Sequence, residues 1–238
     1  MAKEQKAKEL ILVAGGKGGV GKSTTAKALL DYFQTRDANP HLVETDAGNP
    51  DVYRAYSKNV PSLLVDLSRE DGWVDLLNEV DSWPAVPIVV NTAARAHENI
   101  ELHAPLLQEA INAGIRVTWL FMLGRQRESM EILAKHLRYA VGTTHAVLNG
   151  FYGTRKEFEI YDKSQSKTVV DKQGGKVLWL PPLSQKLNYE IDFARQTFAE
   201  AYDHGRLGDK AALTFWRAKV AEAFDALFVA VSEEKAAA

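Results

Sequence analysis

The 238-residue chain contains no cysteine. That excludes disulfides, Cys-based zinc sites, Cys-ligated iron–sulfur clusters and a thiol nucleophile. Long hydrophobic runs are missing as well. The apolar stretch Leu10–Ala14 is too short for a membrane span or a signal-peptide core, and the segment before it, Met1 to Glu9, is polar and lysine-rich. A soluble, cytoplasmic protein with no membrane association is the expectation. Charge of one sign is not in excess either: 29 Lys+Arg face 31 Asp+Glu, for a net charge of −2. This argues against a globally basic nucleic-acid binder and leaves a local basic face open.

What remains is an ordinary globular composition, 46% hydrophobic and 25% charged. Short apolar runs rich in β-branched residues lie at Leu10–Ala14, Leu42–Glu44, Val86–Val90, Val117–Leu123, Ala146–Leu148 and Val177–Leu180. Helical patterns separate them. Thr24–Thr35 places Ala26, Leu29, Leu30 and Phe33 on one face, Asn99–Ala113 ends at Gly114, and Arg127–Ala140 aligns Met130, Leu133, Leu137 and Ala140. Uniformly apolar strands alternating with helices predict an α/β fold, a doubly wound, mostly parallel sheet with helices on both faces. Leu63–Asp81 reads as an additional helical piece. One domain over 1–238 is expected, with a polar tail at 1–9 and a disordered tail at 232–238. Near the end, Ala211–Val231 carries Leu213, Trp216, Val220, Ala223, Leu227 and Val231 roughly on one face. A membrane-surface helix would be basic on its other face. Here Glu222, Asp225, Glu233 and Glu234 outweigh Arg217 and Lys219, which favours a helix packed on the sheet.

The strongest local signal is Gly15-Gly16-Lys17-Gly18-Gly19-Val20-Gly21-Lys22-Ser23-Thr24. Gly16 to Ser23 fits G-x-x-x-x-G-K-[ST], with a strand before it and a helix beginning inside it, as a phosphate-binding loop requires. By chance the bare pattern arises on the order of once in a hundred chains of this length. Glycines let the backbone approach phosphate closely, and their N–H groups form an anion nest at a helix N-terminus. Lys22 is expected at the β- and γ-phosphates and Ser23 at Mg²⁺.

Lys17 completes K-G-G-x-G-K-[ST], and with it the sequence resembles the deviant Walker-A ATPases of the ParA/MinD family. The resemblance implies ATP and Mg²⁺ as cofactors and a dimer that sandwiches two ATP molecules. It also implies that Lys17 reaches the partner's phosphates in trans, as an arginine finger does. In that family a D-x-D-type motif follows the second strand. Here Glu44-Thr45-Asp46 stands there, so Asp46 takes the place of the residue that orients the attacking water near Mg²⁺; the alternative is a turn-capping Asp. A Walker-B strand should end in Asp. Val86–Val90 ends instead at Asn91, which removes a charge from the metal side and puts tight Mg²⁺ binding and fast turnover in doubt. Restoring Asp at 91 is expected to strengthen Mg²⁺ dependence or hydrolysis. The resemblance further implies adenine contacts by Asn149 and by a proline segment represented by Pro182, each of which also reads as a plain turn residue.

Glu44-Thr45-Asp46, Leu148–Gly153, Phe158-Glu159 and Val177–Pro181 look like the plasmid transfer and stability branch, the TraL- and StbB-like proteins. The missing cysteines close the branches that bridge their dimers with a cluster or zinc. Partners implied are a second copy when ATP is bound and an adaptor or DNA-binding protein. Non-specific DNA is a further candidate through Arg125, Arg127, Lys135 and Arg138 or Arg155, Lys156, Lys163 and Lys167, where interleaved acids equally suit a solvated face. The function expected is a slow ATPase switch in plasmid stability, partition or conjugative transfer. The alternatives are a nucleotide-binding module with little hydrolysis, or a small-molecule kinase or synthetase on the same scaffold.

Overall fold

A computed structural model of the chain describes residues 8–16, 18–94 and 100–228. Lys17, Asn99, Val231, Glu233, Glu234 and both tail ends lie outside the described residues. The strands are β1 (Glu9–Gly15), β2 (His41–Glu44), β3 (Ser62–Leu64), β4 (Pro87–Asn91), β5 (Arg116–Leu123), β6 (Thr143–Asn149) and β7 (Val177–Leu180). They form one sheet in the order β3-β2-β4-β1-β5-β6-β7, and every neighbouring pair is parallel. The helices are α1 (Lys22–Gln34), α2 (Asp51–Tyr56), α3 (Glu70–Ser82), α4 (Ile100–Asn112), α5 (Arg127–Tyr139), α6 (Glu159–Asp162), α7 (Gln165–Lys172), α8 (Gln185–Phe193), α9 (Phe198–His204) and α10 (Leu207–Phe228).

Both faces of the sheet are covered, which is why the strands read as near-continuous apolar runs. Alternate residues of β1 feed two separate cores. Ile11 and Val13 pack with Leu29 and Leu30 of α1 and Trp216, Val220 and Phe224 of α10. Leu10, Leu12 and Ala14 pack with Trp73 and Leu76 of α3, Leu107 of α4 and Leu133 of α5. The period of two along the strand thus sends successive side chains to opposite layers.

The expected doubly wound parallel sheet is present, with every pair parallel, and finer details differ. The segment read as helix from Leu63 begins as the edge strand β3, and helix α3 starts only at Glu70. Leu63-Leu64-Val65 is a run of only three on a half-exposed edge, with Leu64 42% exposed, too short for its period to separate strand from helix. The polar tail is shorter than expected. Glu9 heads β1, where its carboxylate accepts from the Thr118 hydroxyl at 2.9 Å and pairs with Arg116, and Lys8 donates to the Val80 carbonyl at 3.0 Å. Helix α10 buries Leu213, Trp216, Val220, Phe224 and Leu227; Phe224, not Ala223, fills the centre of the seam.

One buried group links the fold to pH. His145 on β6 is 8% exposed, and its Nδ1 accepts the Lys176 N–H at 2.9 Å. Burial, and then the nearby Lys176 charge, push its pKa down from 6.5 to about 4. The unfolded chain therefore binds a proton that the folded chain refuses between these values. The stabilisation is fully present above 6.5 and is lost as pH falls from 6.5 to about 4. His145→Asn keeps an acceptor without the titration. Its stability difference between pH 7 and pH 5, from urea unfolding, should be smaller than that of the wild type by about 2 kcal/mol. An unchanged difference would show that His145 does not titrate in this way.

Candidate functional site

The glycine-rich loop runs from the end of β1 into α1. Gly19 and Gly21 have φ of 77° and 101°, which a side chain would strain. Gly21 is the N-cap of α1 and offers no side chain, so the first N–H groups of the 13-residue helix face whatever lies before it. Gly16 packs against Ile132 of α5 so closely that a Cβ there would overlap it. Val20 is buried and ties the loop into the core. Two side chains from the turn after β6 brace the loop from the other side. Asn149 donates from Nδ2 to the Val20 carbonyl at 2.8 Å, and Tyr152 donates from its hydroxyl to the Gly19 carbonyl at 2.7 Å. Asn149 Oδ1 meanwhile accepts the Phe151 N–H at 2.9 Å. Asn149 thus buttresses the loop, a role different from the adenine contact or plain turn expected of it, and neither its bracing nor that by Tyr152 was signalled in the sequence.

Lys22, Ser23 and Thr24 occupy the first turn of α1. Lys22 is only 8% exposed, and burial lowers its pKa, while the charges of Asp46 and Glu44 oppose that fall. Asp46 follows β2 and caps its own turn, its Oδ1 accepting the Asn49 N–H at 3.0 Å. It therefore does what a turn-capping Asp does and also places charge near Lys22. Glu44 is fully buried. Burial raises its pKa, against hydrogen bonds from the Asp46 N–H at 3.1 Å and from Asn91.

Asn91 ends β4 beside Glu44 in the register of β2 and β4. Its Nδ2 donates to both Glu44 oxygens, at 2.9 and 3.1 Å. Its Oδ1 is buried and accepts no hydrogen bond among the described residues. The sequence marked Asn91 as the place of a missing acid but gave no sign that an acid stands next to it, because strand order is not written in the sequence. With Glu44 there, an Asp at 91 would press two carboxylates together in a buried place. The expectation that Asn91→Asp strengthens Mg²⁺ dependence is therefore replaced by an expected loss.

Beyond the loop lies a cavity of about 630 Å³. Gly19, Gly21, Thr24, Asn149, Phe151, Pro181, Pro182, Tyr189, Asp192 and Trp216 are among its lining residues. Trp216 of α10 donates its indole N–H to the Pro181 carbonyl at 2.9 Å and so fixes the wall that carries Pro182. Asp192 of α8 pairs at 2.7 Å with Lys27 of α1, a lysine just 2% exposed. The structure thus brings Gly16, Gly18 to Thr24, Asp46, Asn149 and Pro182 to one end of the sheet, the carboxyl ends of the strands. Among the basic clusters, Arg125, Arg127, Arg155, Lys163 and Lys167 are each paired with an acid. That favours the solvated-face reading of these residues.

A parallel sheet wound on both sides, with a glycine-rich loop between its central strand and the first helix, is the fold of the P-loop NTPases. Solved structures agree on the fold. The MinD cell division protein of Aquifex aeolicus superposes with a TM-score of 0.51 at 12% identity, covering 90% of this chain and 95% of that one. FlhF complexed with GTP and Mg²⁺ gives 0.51 at 16% identity, covering 76% and 69%. No protein-family model matches the chain. Protein MobD of Acidithiobacillus ferrooxidans is 34% identical over 213 residues, 89% of this chain and 94% of the relative. The chain belongs to the MobD family. Among the described residues no helix is long and apolar enough to cross a membrane.

Proposed function

We propose that this chain is a nucleotide-dependent switch that binds ATP with Mg²⁺, pairs face to face with a second copy, and hydrolyses ATP slowly. The observation that carries this reading is the cradle itself. A glycine loop braced from both sides delivers Lys22, buried and within the influence of the Asp46 and Glu44 charges, to the open N-terminus of α1. Backbone N–H groups of Gly16 to Ser23 would hold the phosphates, with Lys22 neutralising the β and γ groups and Thr24 beside them. Asn149 and Pro182 border the cavity that suits the base and sugar.

The residues fit a magnesium ion that arrives with the nucleotide. Ser23 stands in the first helical turn, Asp46 follows β2, and the buried Asn91 Oδ1 has no hydrogen-bond partner among the described residues. A magnesium ion bound with a nucleotide keeps phosphate oxygens and waters in its shell, so few protein ligands are needed. The ion would neutralise charge between the β- and γ-phosphates. Ser23 and Asp46 would hold it, and Asp46 would also orient the attacking water.

Lys17 is proposed to act across the dimer. Plasmid stability, partition or conjugative transfer is the proposed setting, supported by the TraL- and StbB-like segments, and an adaptor or DNA-binding protein is the proposed partner. The lack of an acid at Asn91 supports slow turnover, and a binding module with little hydrolysis is the second reading on the same observation. Sizing in solution tests the switch. The wild type should be a monomer with ADP and a dimer with a non-hydrolysable ATP analogue. Lys17→Ala should bind the analogue and stay monomeric. Dimerisation of Lys17→Ala would sink the trans role.

A further inference from the structure

The end of β4 lacks the acid that the metal side of a phosphate site calls for, yet a carboxylate is present at the same place from the adjacent strand. Glu44 and Asn91 are register partners on neighbouring parallel strands. Both are buried, at 0% and 3% exposure. One amide nitrogen contacts both carboxylate oxygens, which also fixes the amide's orientation, since turning it over would set Oδ1 against the acid. That leaves Oδ1 as a buried acceptor with no donor among the described residues, an arrangement that native proteins avoid unless something else supplies the hydrogen bond. Asn91 is also the register partner of Val13 on β1, the strand that runs into the glycine loop, so the pair lies beside the phosphate site and not in a remote part of the sheet.

We infer that Glu44 and Asn91 act as one unit on the metal side of that site. Glu44 carries the single negative charge that β4 does not, while Asn91 clamps this carboxylate and keeps its carbonyl oxygen for a magnesium-bound water. The inference rests on the nucleotide reading above. It makes both residues positioning residues: they hold water and charge near the ion and do not touch the reacting atoms. An amide is required at 91 for this. A second acid would repel the first, and an apolar residue would leave the buried carboxylate without its donor.

A purely structural brace between β2 and β4 makes a different prediction, because it would alter nucleotide affinity equally with and without the ion. The test measures calorimetric affinity for a non-hydrolysable ATP analogue in Mg²⁺ and in EDTA, with thermal melts of the nucleotide-free proteins alongside. Glu44→Gln can still hydrogen-bond Asn91 and should fold. It should reduce the Mg²⁺-dependent gain in affinity by about tenfold, with the EDTA affinity moving less than about threefold. Asn91→Asp should melt well below the wild type. The exchange Glu44→Gln with Asn91→Asp returns one charge and one amide, and it should recover both the melting temperature and the Mg²⁺-dependent gain. If Glu44→Gln keeps the full gain, or if the exchanged protein melts like the wild type but does not regain it, the inference is overturned. A wild type that binds the analogue in neither condition would overturn the nucleotide reading instead.

Discussion

Lys22→Ala is expected to lower affinity for a nucleoside triphosphate by at least about 100-fold, on the order of 3 kcal/mol. Two effects combine. The variant loses a charge-assisted contact to phosphate, which is worth about 1.5–3 kcal/mol for a charged hydrogen bond. It also removes the cation whose charge opposes those of Glu44 and Asp46 in the site. Burial lowers the Lys22 pKa, and those same carboxylates oppose that fall. The fold should survive, since Ala26, Leu29, Leu30 and Phe33 fasten α1 in the core. Calorimetric titration with ADP and with a non-hydrolysable ATP analogue reads the effect, and a melt in the absence of nucleotide checks the fold. Binding within about threefold of the wild type would mean that the loop does not hold phosphates through Lys22.

This result bears on what the sequence could reveal. The loop was legible because its function is local: glycines, lysine and serine must follow one another to build a nest, so the spacing itself carries the chemistry. Most strands were legible for a related reason. Burial on two faces makes them uniformly apolar, whereas β3 on the edge escaped because it has no such constraint. The acid–amide pair was not legible. Glu44 and Asn91 are 47 residues apart, and their contact depends on β4 lying between β2 and β1. Reading Asn91 alone suggested a defect. Reading it with its neighbour shows a buried, hydrogen-bonded acid–amide pair. Asn149 was found by position, but its hydrogen bonds to Val20 and Phe151 depend on the turn geometry after β6.

Arg217→Met is expected to cost about 3–5 kcal/mol of stability, the range for removing one partner of a buried ion pair. Arg217 of α10 grips Asp31 of α1 with two bonds, from Nε at 2.8 Å and from Nη2 at 2.7 Å. Asp31 has only 9% of its side chain exposed. Burial raises its pKa, and Arg217 resists that rise through its charge and its hydrogen bonds. Without Arg217 the carboxylate is left desolvated and unpaired, and it must take up a proton or draw water into the seam between the two helices. For a chain of this size the loss corresponds to a melting temperature lower by roughly 6–20 °C. Asp31→Asn combined with Arg217→Met removes both charges and should recover most of the loss, because the cost lies in the orphaned charge more than in the broken contact. The consequence extends to the cavity. The residue before Arg217 is Trp216, whose indole N–H holds Pro181 in the cavity wall. A shift of α10 that relieves Asp31 therefore moves that wall, so Arg217→Met should also weaken nucleotide binding, and the double variant should restore it. If Arg217→Met melts like the wild type, the pair contributes nothing net, and the position of α10 is set by its apolar seam alone.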